Sequence, residues 1–245
     1  MDSLKNRKSI RRYASRSVED ALLDELLETA ERASTTGNMQ LYSVVVTRSA
    51  EGKQRLAPCH FNQPMITRAP VVLTFCADYN RFSKWCEQRN AVPGYANFHS
   101  FLTAMIDTLL FAEHFCVAAE KKGLGICYLG TTTYSADKLV DILGLPELVM
   151  PVTTVTVGYP DEDPAQPDRL PLTGVVHREA YTDYTPETID AIFGYRESLD
   201  ENRRFTAING KETLAQVFTD IRYTRRDNEA ISEMLKELLK KQGFC

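Results

Sequence analysis

The stretch that decides the fold is Asn97–Gly130, NFHSFLTAMIDTLLFAEHFCVAAEKKGLGICYLG. Between Phe98 and Ala119, apolar side chains fall on nearly every face of a helical wheel, and such a helix is buried on most sides. About 25 residues at 1.5 Å each give roughly 37 Å, enough to cross a whole small domain. Gly123 suits the left-handed position that ends a helix, so the segment after it is expected to be a short buried element leading to a site.

A membrane span is the alternative interpretation of this helix. Four polar side chains interrupt the apolar run: Asp107, Glu113, His114 and Glu120. Charged groups near the middle of a helix are costly in lipid. We therefore expect a core helix and no membrane.

Composition excludes several classes of protein. The 245 residues suffice for a large domain with a real core. A net charge of −4 and a pI near 5.7 argue against nucleic-acid binding, which usually needs a basic face. The charged first residues, MDSLKNRKSIRRY, do not resemble a signal peptide. Six cysteines without regular spacing indicate buried thiols in a reducing compartment, so we expect a cytoplasmic protein.

The remaining chain predicts alternating helices and strands. Strands are expected at 41–47, 70–77 and 152–157, and helices at 17–30, 51–57, 81–89, 135–143, 186–195 and 227–241. Residues 17–20 resemble a capping box that opens the first of these helices, and Ser135 can cap the helix at 135–143. The tail after His177 is polar and cannot fill a core alone, so we expect it to wrap the body or a second subunit.

A basic segment near the start of the chain is the first candidate site. Arg7, Lys8, Ser9 and Arg11 place three cations and a hydroxyl within five residues. Two guanidinium groups and a serine suit a phosphate, because arginine gives bidentate charge-assisted hydrogen bonds. The alternative is a solvated, charged face with no ligand.

Three further segments carry groups that suit a polar ligand. The loop at 34–40, STTGNMQ, is rich in hydroxyl and amide groups that can bond a polar heterocycle, although most such loops are ordinary turns. At 123–131 the glycines let backbone amides approach a ligand closely, but the pattern is neither GxGxxG nor a Walker A loop. Arg169, on a loop stiffened by prolines, is a second possible anion ligand.

Other catalytic patterns are not expected. His114 and Cys116 lie inside the apolar helix without partners at zinc spacing, so no metal site is predicted. Cys59-His60 is equally isolated. There is no GxSxG elbow for a hydrolase, and none of the four histidines suggests a general base.

Five segments in this order resemble the FMN-dependent nitroreductase family, and most closely its NADPH-dependent branch of oxygen-insensitive nitroreductases and flavin reductases. They are RKSIRRY (7–13), STTGNMQ (34–40), Gln63 twelve residues before FCAD (75–78), GLGICYLG (123–130) and DRLP (168–171). The resemblance covers roughly residues 4–180 and weakens in the tail.

The resemblance implies an α+β fold, with a central, mainly antiparallel sheet flanked by helices in an intertwined homodimer. Residues 1–180 would form the FMN-binding domain, and residues 181–245 a C-terminal extension that wraps the body or the partner subunit. One FMN per subunit would lie at the dimer interface.

Carried over residue by residue, the resemblance also implies a set of cofactor ligands. Arg7, Lys8, Ser9, Arg11 and Arg169 would hold the FMN phosphate, Thr35 and Asn38 would lie along the flavin, Gln63 would bond its pyrimidine side, and Tyr128, Leu129, Gly130 and Thr131 would line the ring.

The chain departs from the branch in three places. Pro167 stands where a basic residue is often found, and Thr131 replaces a small residue, usually glycine, beside the flavin. The segment that binds the NADPH 2′-phosphate differs altogether. Candidate cations for that phosphate are Arg203, Arg204, Arg225 and Arg226, with helix-surface charge as the alternative interpretation.

The implied activity is hydride transfer from NADPH or NADH, through the flavin, to a nitroaromatic, quinone or flavin acceptor. The flavin carries the difficult chemistry in such an enzyme, so no catalytic side chain is expected. The alternatives are a flavin-binding carrier or sensor without turnover and a flavin-free α/β binding module.

Overall fold

The computed structural model describes residues 2–245, which form two compact units. The first unit comprises the residues up to Ala165 together with Ile231–Cys245, and the second is Gln166–Ala230. The compact units therefore divide after residue 165 rather than after 180, and the last fifteen residues belong to the first unit.

Four strands and eleven α-helices make up these residues. The strands are β1 (Tyr42–Thr47), β2 (Val71–Asp78), β3 (Gly125–Leu129) and β4 (Val149–Gly158). The helices of the first unit are α1 (Asp2–Lys5), α2 (Asp20–Ala30), α3 (Ala50–Leu56), α4 (Pro64–Arg68), α5 (Asn80–Glu87), α6 (Phe98–Lys121) and α7 (Ala136–Leu143). After β4 come α8 (Pro186–Ser198), α9 (Asp200–Ile208), α10 (Leu214–Val217) and α11 (Arg225–Lys241).

The strands form one antiparallel sheet, as the resemblance implied, and their order in it is β1-β2-β4-β3. All eight residues of β2 are buried, so this strand is covered on both faces of the sheet. A β-bulge between Phe75 and Cys76 shifts the register of β2 against β4.

Each face of the sheet has its own hydrophobic layer. On one face Leu73 and Phe75 pack against α2 and α6. Phe75 lies 5.8 Å from Phe111 and 6.0 Å from Phe115, measured between ring centroids. On the other face Val72 packs with residues of α3, α4 and α7. The sheet is thus a central layer between helices.

The long helix exists where it was predicted, and most of its residues are buried or half-buried, but one of its faces is exposed. Its length and composition would suit a membrane span, yet its inner face packs on α2 and the sheet, so it is a core helix. Ile106, Leu109 and Leu110 are 55%, 42% and 43% exposed. These three positions lie on one face at i, i+3 and i+4 spacing. We call them the α6 stripe.

The helix ends agree only partly with prediction. Gly123 and Gly144 are left-handed (φ 80° and 62°), as expected after α6 and α7. The predicted capping box at 17–20 is wrong, because the N-cap of α2 is Glu19 and makes no side-chain capping bond. Ser135 precedes α7 without capping it through its side chain either.

The second unit is helical and stabilised by local polar contacts. Thr185 caps α8 and Thr213 caps α10, each through a reciprocal capping box. Arg196 of α8 forms an ion pair with Asp168 at 2.7 Å. The sequence did not predict α9 or α10, because their polar surfaces leave little apolar periodicity.

Candidate functional site

The basic segment is attached to the edge strand β3. The Ile10 amide donates to the Ile126 carbonyl at 2.9 Å, and the Tyr13 hydroxyl is 2.7 Å from both the Ile10 carbonyl and Thr156 Oγ1. Burial raises the pKa of the Tyr13 phenol, so it stays protonated as this link. Gly125 has no side chain to displace Ile10, whose Cβ would lie 2.6 Å from an added Cβ. Residues 7–13 therefore follow the sheet in a defined register.

Acidic residues hold the cations of this segment in place. Arg7 lies 3.8 Å from Glu120 of α6, and Lys8 pairs with Asp163. Glu162 accepts hydrogen bonds from the backbone amides of Arg11, at 2.6 Å, and Arg12. These amides, that of Arg11 first, lower the pKa of the Glu162 carboxyl.

Arg11 is an exposed residue, and Glu162 accepts a hydrogen bond from its backbone amide rather than from its guanidinium group. Burial raises the pKa of the Cys127 thiol, and the charges of Arg11 and Arg7 oppose that rise. Both guanidinium groups thus lie near Cys127 of β3, the strand that leads to residues 130–131. This arrangement suits an anion better than an uncharged ligand.

The loop at 34–40 is held by Asp107, a buried carboxylate in the middle of α6. Asp107 accepts from the amide and hydroxyl of Thr36 at 2.9 and 3.0 Å, and from the Leu41 amide at 3.4 Å. Asn38 is left-handed at φ 56°, and its amide oxygen accepts from Gln40 at 3.3 Å. Thr35 precedes the turn and is half-buried. These hydrogen bonds fix the backbone of the loop, and with it the positions of its polar side chains.

Gln63 and Thr131 lie on neighbouring turns. His60 Nδ1 is 2.8 Å from Thr131 Oγ1, and Phe61 meets Tyr134 edge to face with ring centroids 5.8 Å apart. Gln63, three positions after His60, is the N-cap residue of α4. Phe61 and Asn62 are both left-handed, at φ 54° and 53°, which is strained for non-glycine residues and common near functional sites. Two of the predicted flavin-lining segments are thus brought together.

The side chains at the end of β3 point to opposite faces of the sheet. Tyr128 packs toward α6, and its hydroxyl donates to Glu113 Oε2 at 3.2 Å. Burial is the main cause that raises the pKa of this phenol, with Cys116 and Glu113 adding to it. Leu129 is part of the opposite core layer, so only its backbone can reach a ligand. Gly130 is exposed, with open space where a Cβ would lie.

The remaining predicted cations belong to the second unit or to its border. Arg169 donates to the Asp168 carbonyl at 2.9 Å. Arg204 and Arg222 line a hollow of about 340 Å³, and Arg222 lies 4.9 Å from the Phe205 ring centroid. Arg226 pairs with Asp227 at 3.2 Å. Within residues 166–230 no carboxylate forms an ion pair with Arg203, Arg204 or Arg225.

Two residues of the site were missed from sequence. Asp107 was visible as a charge inside an apolar helix, which is a signal for a buried polar partner. His60 was considered only as a metal ligand, and its hydrogen-bond partner Thr131 was missed, because Thr131 is 71 positions away in the chain and no local spacing reveals it. Among residues 2–245 there is no cluster of three or more histidine, cysteine or acidic side chains that could hold a metal ion.

Known proteins share this architecture along the whole chain. The model of the Nitroreductase family matches residues 4–159. An FMN reductase (NAD(P)H) from Bacillus subtilis is 30% identical, covering 99% of this chain and 96% of its own length. An oxygen-insensitive NADPH nitroreductase from Salmonella typhimurium is 28% identical, covering 97% and 95%. The crystal structure of an oxidoreductase from Bacteroides fragilis superposes with a TM-score of 0.99 at 61% identity, covering 100% and 99%.

The comparisons and the structure therefore agree. The fold has one antiparallel sheet between helices, with a basic segment bound to its edge strand, and the matching proteins belong to one family. The chain belongs to the nitroreductase family, as the resemblance of its motifs indicated. It is an enzyme of the group that contains the NAD(P)H-dependent FMN reductases and nitroreductases.

The family is generally FMN-dependent, and the groups present in this chain fit that cofactor. Arg7, Lys8 and Arg11 supply positive charge beside β3, while Gly130 leaves open space at the other end of the same path. Gln63 and Thr131 supply amide and hydroxyl groups on adjacent turns. A phosphate and a polar ring are the two parts of FMN that these groups suit.

Replacing Asp107 with Asn should loosen the loop at 34–40. The carboxylate accepts three hydrogen bonds, and an amide nitrogen facing those donors would leave at least one without an acceptor. A buried unsatisfied donor costs about 1–3 kcal/mol. We expect a loss of that size in the free energy of unfolding, and faster amide exchange at Thr36 and Leu41.

The matched control is Asp24→Asn, an exposed position on α2. It should change the free energy of unfolding by no more than about 0.5 kcal/mol and leave amide exchange at Thr36 and Leu41 unchanged. Unchanged amide exchange at Thr36 in the Asp107→Asn protein would show that Asp107 does not hold the loop.

Proposed function

We propose that the chain is a cytoplasmic, FMN-dependent oxidoreductase that uses NADPH or NADH to reduce nitroaromatic, quinone or flavin acceptors. The observation that carries this proposal is the arrangement along β3: a basic segment on one side of the strand and the paired turns of Gln63 and Thr131 beyond its end. When bound, FMN supplies hydride acceptance and onward electron transfer. The relatives' activities support the same assignment.

The chain's own residues would bind and orient the cofactor. Arg7, Lys8, Ser9, Arg11 and Arg169 would hold the phosphate, and no carboxylate is paired with the Arg11 guanidinium among the described residues. Since Pro167 adds no cation, the loss of any one arginine is expected to matter.

The ring would be held by neutral groups. Thr35 and Asn38 would lie along the flavin, and Gln63 would donate to its pyrimidine side. Preorganised donors there stabilise the negative charge of a reduced flavin. Tyr128, through its backbone, and residues 129–131 would form the wall beside the ring. No acid–base side chain is required for this chemistry.

A homodimer is supported by the α6 stripe. Ile106, Leu109 and Leu110 expose apolar surface on one helical face, and a contiguous apolar surface of this kind marks an interaction site. Residues 166–230 expose further large apolar side chains: Val175, Val176, Tyr181, Tyr195, Ile208, Ile221 and Tyr223. A second copy of the chain would cover the stripe, and residues 181–245 would act as the predicted extension around the body or the partner.

The reductant would be recognised by arginines of the extension. Arg203, Arg204 and Arg225 have no carboxylate paired with them within residues 166–230, which leaves their charge for the 2′-phosphate of NADPH. Arg226 is the weakest of the four candidates, because Asp227 already pairs with it. NADPH is therefore the favoured nucleotide.

The visible spectrum of the purified protein tests the function directly. We expect a yellow protein whose heat-released flavin is FMN by chromatography, and whose flavin absorption bleaches rapidly when NADPH is added without oxygen. Recovery of FAD would refute the phosphate site. A bound flavin that NADPH does not bleach would favour the carrier or sensor, and a colourless protein would favour the flavin-free module.

Arg11→Ala should weaken FMN binding strongly. A charge-assisted hydrogen bond contributes about 1.5–3 kcal/mol, or roughly tenfold to a hundredfold in affinity. Arg169→Ala should have a similar effect. The matched control is Arg12→Ala, since the Arg12 guanidinium donates to the Asp161 carbonyl instead. Equal dissociation constants for the Arg11→Ala and wild-type proteins, measured by flavin fluorescence, would contradict the site.

Leu109→Glu should convert the dimer to a monomer, because it places a charge within an apolar contact. We expect sedimentation to show the 27.7 kDa monomer for this variant and twice that mass for the wild type. The control is Val92→Glu, a 97% exposed apolar position outside α6. A monomeric wild-type protein that holds flavin would exclude the dimer.

Replacing Arg225 and Arg226 together with Ala should raise the KM for NADPH and leave that for NADH unchanged. Losing contact with one phosphate corresponds to about 1–3 kcal/mol, or roughly fivefold to 150-fold in affinity. Steady-state kinetics with both nucleotides checks this. Equal changes for NADPH and NADH, or a wild-type preference for NADH, would show that these arginines do not recognise the 2′-phosphate.

A further inference from the structure

His60 is a fully buried histidine with one hydrogen-bond partner. It ends the short turn Ala57–His60, and its Nδ1 lies 2.8 Å from Thr131 Oγ1. Its Nε2 is buried and has no partner among the described residues. A purely structural position of this kind would favour an apolar side chain, because an unpaired buried polar atom is destabilising. The retained imidazole therefore calls for a role that an apolar group could not fill.

The imidazole is neutral at physiological pH. Burial lowers the pKa of His60 to about 4. A neutral imidazole carries one proton, on either Nδ1 or Nε2. With the proton on Nε2, a buried N–H would have no acceptor, whereas with the proton on Nδ1 it is donated to Thr131. The Nδ1–H form is thus favoured, and Thr131 Oγ1 accepts from it.

This bond leaves the hydrogen of the Thr131 hydroxyl for another acceptor. The hydroxyl oxygen accepts from His60, so its own O–H can be donated outward. Thr131 is half-buried and follows Gly130, which has open space beside it. Gln63 stands three residues after His60 on the neighbouring turn. His60 therefore contacts one residue assigned to the flavin ring, Thr131, and accepts a backbone hydrogen bond from another, Gln63.

We propose that His60 is a positioning residue, which holds the Thr131 hydroxyl so that it donates a hydrogen bond to the bound flavin ring. The inference rests on the proposed function, because it requires a flavin beside Thr131. It goes beyond that function because it assigns a role to His60 and Thr131 together. Thr131 stands where a small residue is expected.

The pair can be tested by measuring the FMN dissociation constant of four single variants and one double variant. Thr131→Val removes the hydroxyl without changing the volume greatly, and His60→Phe removes its anchor. Each should weaken FMN binding about twofold to tenfold, which corresponds to one neutral hydrogen bond. Thr131→Ser and His60→Asn keep a hydroxyl and a polar anchor, and should restore most of the affinity. The double variant Thr131→Val/His60→Phe should bind no more weakly than the weaker single variant.

A flavin spectrum separates positioning from packing. Thr131→Val and His60→Phe should shift the visible absorption bands of bound FMN in the same direction, because both remove the same hydrogen bond. Thr133→Val, which deletes an exposed hydroxyl of the same turn, should leave the bands in place. If His60→Phe does not fold, two measurements still test the positioning role: the comparison of Thr131→Val with Thr131→Ser, and the spectrum of His60→Asn.

Several results would overturn the inference. Losses that add in the double variant, or an effect of His60→Phe without one of Thr131→Val, would show that His60 acts through packing alone. In flavin-free protein, ¹⁵N NMR should show a protonated Nδ1 whose shift changes in Thr131→Val. A protein that passes this NMR test but binds no flavin would refute the proposed function while leaving the His60–Thr131 pair intact.

Discussion

The packing of α6 on the antiparallel sheet is the contact on which the rest of the structure depends. Phe75 of β2 lies against Phe111 and Phe115, and this aromatic contact fixes the helix over the centre of the sheet. Three of the candidate ligand segments are attached to these elements. Asp107 of α6 holds the loop at 34–40, the turn after α6 leads into β3, and β3 holds the basic segment through Ile126. A ligand site built in this way has a rigid base although its ligands come from distant parts of the chain.

Much of this frame could be predicted because its signals are local. Continuous apolar runs predicted the positions of β2 and α6, and Gly123 predicted where α6 ends. The order of five short motifs indicated the family, which the comparisons confirm. The prediction of buried thiols is confirmed for five of the six cysteines, whereas Cys245 is exposed. In each case a few neighbouring residues contain the necessary information, since period and turn chemistry act over one or two turns of chain.

The rest could not be predicted because its partners are far apart in sequence. Asp107 meets Thr36, and His60 meets Thr131, each across 71 positions. The α6 stripe illustrates a different limit. A helical wheel counts apolar residues, but it does not distinguish burial in the chain's own core from surface left for another molecule. The exposed Leu109 and Leu110 have the same sequence signal as the buried Phe111.

The acidic residues around the basic segment do not exclude an anion, and magnitudes explain why. Asp163, which pairs with Lys8, is 89% exposed, and an exposed ion pair is worth only about 0–1 kcal/mol. A phosphate can instead accept charge-assisted bonds from several cations at once, at about 1.5–3 kcal/mol each. Under the proposed function, a phosphate would therefore replace Asp163 as the partner of Lys8 at little cost. Glu162 need not move at all, because it binds backbone amides and leaves the Arg11 guanidinium unoccupied by its carboxylate. The carboxylates thus keep the cations ordered and near their sites without competing strongly for them.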